Sequence, residues 1–298
     1  MSSSHYYTNH NTSLLSTLFG IGLIFSLNSI SNTDTDNHHY AFGHSFTSDD
    51  SVTFLAMSKQ AAIQLELAKK NFPVNITLSM DHSDNAARLV NDVYYVDDDI
   101  VDDNDFIKRY NKEISSKNST IHSLVTADLI DQILREYASA IILDVDLTNM
   151  SNLGVLDNFN KSINSNIPIN YSSPNYKQYQ KLISTNNTIF NYDNYETALA
   201  LTMEVKNIFN YLKSTDSVSG ESKTDSLLLD KLEKDIDNLH SILLNTGSAG
   251  DLMRLVHLTI HPELQDVFNL KTRMNMNMNM NMNMMDGKSN MNMNMNMP

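Results

Sequence analysis

Cysteine is absent from the 298 residues, so the chain has no disulfide framework, no thiolate nucleophile and no Cys-based zinc or iron–sulfur site. Tryptophan is absent too, and Gly and Pro are scarce at 8 and 5. With many Leu, Asn and Asp, that scarcity favours helices over a turn-rich β fold. Basic residues are outnumbered, 21 Lys+Arg against 35 Asp+Glu, for a formal charge of −14. Nucleic acid is a poor partner for such a chain, because phosphate binding needs a basic face. What is there suffices for a core: Leu, Ile, Val and Phe number 79, above the roughly one-fifth below which chains tend to stay unfolded.

The organisation is read from periodicity. An uncharged run, Leu14 to Ile30, follows a polar N-terminus without Lys or Arg. Its length suits a short membrane span or a signal-peptide core, so residues 1–31 are expected to be a signal peptide or membrane anchor. The body is accordingly expected outside the cytoplasm. Residues 32–47 read as a polar linker. From 48 to 146 the pattern predicts an N-terminal helical bundle. Its first helix is capped by Ser48, carries Val52, Leu55, Ala62 and Leu65 on one side, and is ended by Pro73. The second places Leu78, His82, Ala86, Leu89 and Val93 on one face. A weaker helix covers 104–117. The clearest runs through Leu124, Val125, Leu129, Ile133, Leu134, Tyr137 and Ala138.

Residues 147–190, rich in Asn, Ser and Tyr with Pro168 and Pro174, predict an irregular connection with one short helix near Tyr176–Ile183. A C-terminal helical region, 191–272, opens at Asp193 and Glu196, which have capping-box spacing. It continues through the stripe Ala198, Leu201, Val205, Ile208 and Leu212, then Leu228, Leu232, Ile236, Leu239 and Leu243. Gly247 and Gly250 are expected to break it before two short helices, Asp251–Ile260 and Pro262–Leu270. The fold class expected is all-α, an antiparallel helical bundle.

Several constellations carry potential chemistry. Met253, His257 and His261 are spaced by four, and thioether with imidazole suits copper. Pro262 disfavours helical geometry at His261, which can instead start the next helix with Pro262 in its first turn, and the surrounding Leu252, Leu255, Val256 and Ile260 also suit plain packing. His82 lies on an apolar stripe, where a histidine is more often hydrogen-bonded core than ligand; it joins the copper set only if the fold brings it to His257 and His261. Asp237 and His240 have the spacing used in di-iron bundles, but no second pair exists. The acidic run Asp97–Asp105 lacks the glycine and distal glutamate of an EF-hand. Nucleophile elbows, zincin helices, phosphate-cradling loops and dinucleotide fingerprints are missing, so no enzyme is expected. Seven sequons, at Asn11, Asn75, Asn118, Asn149, Asn160, Asn170 and Asn186, match the about seven that this composition gives by chance, and say nothing by themselves of glycosylation.

Residues 273–298 form a low-complexity Met/Asn tail holding 11 of the 17 Met. Such a tract is expected to be disordered. Its alternate thioethers also suit Cu(I) where Cys would be oxidised, and strict alternation favours self-association.

Two stretches, Tyr40–Asp49 (YAFGHSFTSD) ahead of a helical hairpin and Val256–Leu270 (VHLTIHPELQDVFNL), resemble uncharacterised exported helical proteins of ammonia-oxidising archaea. The resemblance spans roughly residues 40–272 and implies an exported setting in a lineage that uses copper heavily; it implies no activity. The expected function is an exported or membrane-anchored cell-envelope protein with a structural or interaction role. The alternative is an extracytoplasmic copper-binding protein. The expected partners are the membrane, through the N-terminal segment, and other proteins or further copies of the chain.

Overall fold

The computed structural model describes residues 50–270, apart from 97–99, 101, 117, 142, 166–167, 185–186 and 217–222. The signal or anchor segment, the Ser48 cap and the Met/Asn tail lie outside the described residues. Among the described residues every regular element is helical. In chain order they are α1 (Asp50–Asn71), α2 (Ile76–Val96), α3 (Asp103–Ser115), α4 (Ser119–Ala140), α5 (Ser151–Asn164), α6 (Pro174–Ile183), α7 (Tyr192–Asp216), α8 (Lys223–Leu244), α9 (Ala249–Leu255), a π-helical turn (Val256–Ile260) and α10 (His261–Phe268).

The helices form where side chains cap them and stop where the backbone must turn. Asp102 accepts from the amides of Asn104 and Asp105 to start α3, so the acidic run ends in a helix cap. Asn118 caps α4 and Ser173 caps α6, with Pro174 in the first turn. Asn75, at the turn before α2, accepts from the amide of Leu78.

Helix α4 is the centre. Val125, Leu129, Ile130, Ile133, Leu134 and Tyr137 are fully buried in it, because α1, α7, α9 and α10 pack against it from different sides. Helix α2 lies along α1, and α8 along α7. The stripes predicted for α7 and α8 are the ones buried, from Ala198 to Leu212 and from Leu232 to Leu243, except that at the start of α8 Leu229 is buried and the predicted Leu228 is only half-buried. Ion pairs and hydrogen bonds give the directions. Lys59 meets Glu204 while Lys70 meets Glu196, so α1 and α7 are antiparallel. Lys213 meets Asp230 while Tyr195 donates to the Leu243 carbonyl, so α7 and α8 are antiparallel as well.

Two differences from the sequence expectation have physical causes. The stretch 147–190 holds two helices, α5 and α6, rather than one. Their chain leaves α4 and returns to it, since the amides of Phe190 and Asn191 both donate to the Ala140 carbonyl. Tyr137 and Asn187 fasten the return by donating to the Gly247 carbonyl at 2.6 and 2.9 Å. The second difference concerns the end of the chain. Gly250 does not break a helix; it opens α9 against α6, where a Cβ would come within 3.0 Å of the Leu182 carbonyl oxygen. Nor does Pro262 end the helix. His261 is helical (φ −62, ψ −47), its amide bonds back to Val256, and it opens α10 with Pro262 in the first turn, the alternative its sequence allowed. The proline ring that would strike the carbonyl four residues earlier is accommodated by widening one turn into a π-helix.

Candidate functional site

One end of the bundle carries an open groove of about 700 Å³. It lies between the start of α2 and the segment entering α7. Asn75, Thr77, Leu78 and Asp81 form one wall; Phe190, Asn191, Tyr192 and Asp193 form the other, with Ser139 of α4 between them. Beside it, Phe72, Val74, Ile76 and Met80 are exposed, Val74 at 85%. Pro73 and the tight α1–α2 turn hold them outward: the amides of Phe72, Val74 and Asn75 are tied to carbonyls at the end of α1.

Behind the groove wall lies a buried polar cluster built from three helices. His82 of α2 has no solvent exposure. Its Nδ1 lies 2.7 Å from Gln64 Oε1 of α1 and 2.6 Å from Asp193 Oδ1 of α7, and its Nε2 lies 3.4 Å from Glu196 Oε2. Gln64 in turn donates to Thr197 Oγ1 at 3.0 Å, and Asn85 donates to Asp193 Oδ2 at 2.7 Å. Burial pushes the Glu196 carboxyl up, but hydrogen bonds from Asn71, Lys70 and His82 outweigh it and hold Glu196 below its ordinary value. His82 is thus the hydrogen-bonded core residue that its stripe position suggested. The capping-box reading of Asp193 and Glu196 is corrected: Asn191 Oδ1 caps α7 by accepting from Asn194, and the two carboxylates turn to His82.

A histidine pair sits where the π turn runs into α10. His257 and His261 are brought together, ring centroids 5.4 Å apart and nearly perpendicular. His257 Nε2 donates to the Leu147 carbonyl at 2.8 Å. His261 Nε2 lies 3.6 Å from Asp131 Oδ1 of α4, too far for a hydrogen bond. Both carboxylate oxygens of Asp131 are buried without a hydrogen-bond partner. Burial raises Asp131 well above its ordinary value, against the attraction of Arg135. Asp128, one turn earlier, is pushed up to about 6 by the same cause. Met253 is buried in the apolar core.

The four residues proposed as copper ligands therefore divide. His257 and His261 meet; His82 is engaged by Gln64, Asp193 and Glu196 instead. Among the described residues, no group of three or more His, Asp or Glu is placed to hold a metal ion. Asp237 and His240 are occupied between α7 and α8, Asp237 by Lys206 at 2.6 Å and His240 by Thr202 at 3.0 Å. Sequence reasoning missed Asp131 and the groove itself, and gave Asp193 and Glu196 a capping role. The available signals were carboxylates set within apolar stripes and the run Phe72–Ile76, whose apolar residues belong to no helical face.

No family model matches the chain, and no curated protein or solved structure matches it either.

Proposed function

We propose that the protein is a non-catalytic interaction module of the cell envelope, exported and held at or released from a membrane by its N-terminal segment, and docking a partner through the groove end of the bundle. The observation that carries this reading is the crowding of exposed apolar side chains there. Six of the thirteen large apolar residues exposed among the described residues are Phe72, Val74, Ile76, Met80, Phe190 and Tyr192. An apolar patch so concentrated marks an interaction surface. The non-catalytic part is supported by His82, which is sealed behind the groove wall out of reach of a bound molecule.

The described helices include none long and apolar enough to cross a membrane, so anchoring rests on Leu14–Ile30 alone. Cell fractionation combined with photo-crosslinking tests the reading. The protein is expected in the envelope or the medium, with adducts from a crosslinker at Val74 and none from one at the exposed Leu258. Full-length protein in the cytoplasmic fraction, or equal adducts at both positions, would overturn it.

A second reading, copper binding, is supported by the eleven methionines of the tail. Among the described residues of the body, only His257 and His261 are brought together, short of the three or four ligands a metal site uses. Cu(I) titration of the full chain and of residues 1–272 is expected to show sites in the first that the second lacks. No binding tighter than about micromolar in either would sink it.

A further inference from the structure

We infer that the groove end recognises a cationic amphipathic peptide segment, apolar on one side and bearing Lys or Arg on the other. This rests on the interaction-module reading and specifies its partner. The apolar half of the argument is the cluster of Phe72, Val74, Ile76 and Met80 beside the groove, with Phe190 and Tyr192 across it. A cavity of about 700 Å³ falls within the range of pockets that enclose a ligand or a few side chains.

The polar half is one-sided. The charged residues lining the groove are Asp81 and Asp193; no lysine or arginine lines it. Asp193 receives a hydrogen bond from Asn85 on one oxygen and lies 2.6 Å from His82 Nδ1 with the other, which fixes it in the wall. Asp81 is exposed and has no salt bridge among the described residues, so its charge is available. Asp84, also exposed, stands one turn further along α2. Apolar surface fringed by unneutralised carboxylates selects against other occupants. A second copy of this chain, with a net charge of −14, would bring the same acidic fringe against itself, which like charges oppose. An anionic lipid surface is repelled for the same reason. A basic amphipathic segment supplies both complements, seating its apolar face in the groove with an ammonium or guanidinium group against Asp81.

The test uses the full chain and a fluorescent 14-residue amphipathic peptide of Leu and Lys, with its Leu/Glu counterpart as control, read by anisotropy. The Leu/Lys peptide is expected to bind and the Leu/Glu peptide not to. Asp81→Lys should weaken binding about tenfold or more, as reversing a facing charge does, and Val74→Glu should do the same. Leu258→Glu, on an unrelated exposed position, should leave it unchanged. Binding should also weaken as salt is raised. Absence of binding, or binding insensitive to Asp81→Lys and Val74→Glu, overturns the inference. Loss in Val74→Glu but not in Asp81→Lys also overturns it, while leaving the interaction-module reading standing. Light scattering that shows a dimer abolished by Val74→Glu would assign the patch to a second copy. Sedimentation with phosphatidylcholine vesicles that Val74→Glu abolishes would assign it to lipid. Either result overturns the cationic partner.

Discussion

The molecule contains two buried histidine–carboxylate neighbourhoods, and they solve the same problem in opposite ways. Around His82, the carboxylates of Asp193 and Glu196 receive donors from Lys70, Asn71 and Asn85, and Glu196 is held below its ordinary value. Around His261, Asp131 is enclosed by apolar helix faces and receives no hydrogen bond; burial drives its carboxyl well upward. Burial and the supply of donors act together: Asp193 and Glu196 keep partial exposure and receive donors from several helices, whereas Asp131 keeps almost no exposure and receives none. The first cluster joins α1, α2 and α7 and acts as a polar clamp. In the second, α4 meets the π turn, and Asp131 is a cost the fold carries.

The largest expected effect comes from breaking the clamp. His82→Ala removes the ring that Gln64, Asp193 and Glu196 contact and leaves a void behind the groove wall. Removing one member of a buried polar group typically costs about 3 kcal/mol, so urea denaturation should show the midpoint falling sharply. A change within about 0.5 kcal/mol would mean that the cluster is not a stabilising unit. A smaller effect of opposite sign is expected from Asp131→Asn. Because the folded state holds the Asp131 proton more tightly than the unfolded state, wild-type stability is full below the ordinary value of 3.8 and declines as pH rises above it. The amide carries no such loss. The variant should gain on the order of 2 kcal/mol at pH 8, and its melting curve should merge with wild type near pH 4. A variant less stable than wild type at pH 8 would show that Asp131 is charged and needed.

The contrast also shows which parts of this fold were legible in the sequence. Stripes on α4, α7 and α8 were, because 3.6-residue periodicity is a local property and the buried residues are the apolar ones. Helix α5 was not: Leu153 and Leu156 are the residues it buries, and its Asn- and Ser-rich remainder reads as loop. His82 was legible as a core residue, but its partners were not, since Glu196 is 114 residues away. The spacing rule that suggested a cap for Asp193 and Glu196 sees only neighbours along the chain. Pro262 was half legible: it sits in the first turn of α10, as the sequence allowed, but that the preceding helix widens into a π turn instead of stopping depends on the packing of α9 and α10 on α4 and α8.

The smallest expected effect sharpens the comparison within α4 itself. Asp128 stands one turn from Asp131 and is raised to about 6, yet it keeps some contact with solvent where Asp131 keeps almost none. Its folded value lies above the unfolded one, so its contribution to stability is present below about pH 4 and is lost between there and about pH 6. Asp128→Asn should therefore gain on the order of 1 kcal/mol at pH 7, discounted from the about 3 that the full shift would carry because solvent screens the group. The two carboxyls also repel one another when charged, so the gains should not add. With Asp128→Asn in place, Asp131 loses a like-charged neighbour and its own penalty shrinks. A double variant measured by urea denaturation at pH 8 should fall short of the sum of the singles. Strict additivity would mean that Asp131 holds its proton at pH 8 and never confronts Asp128 as an anion.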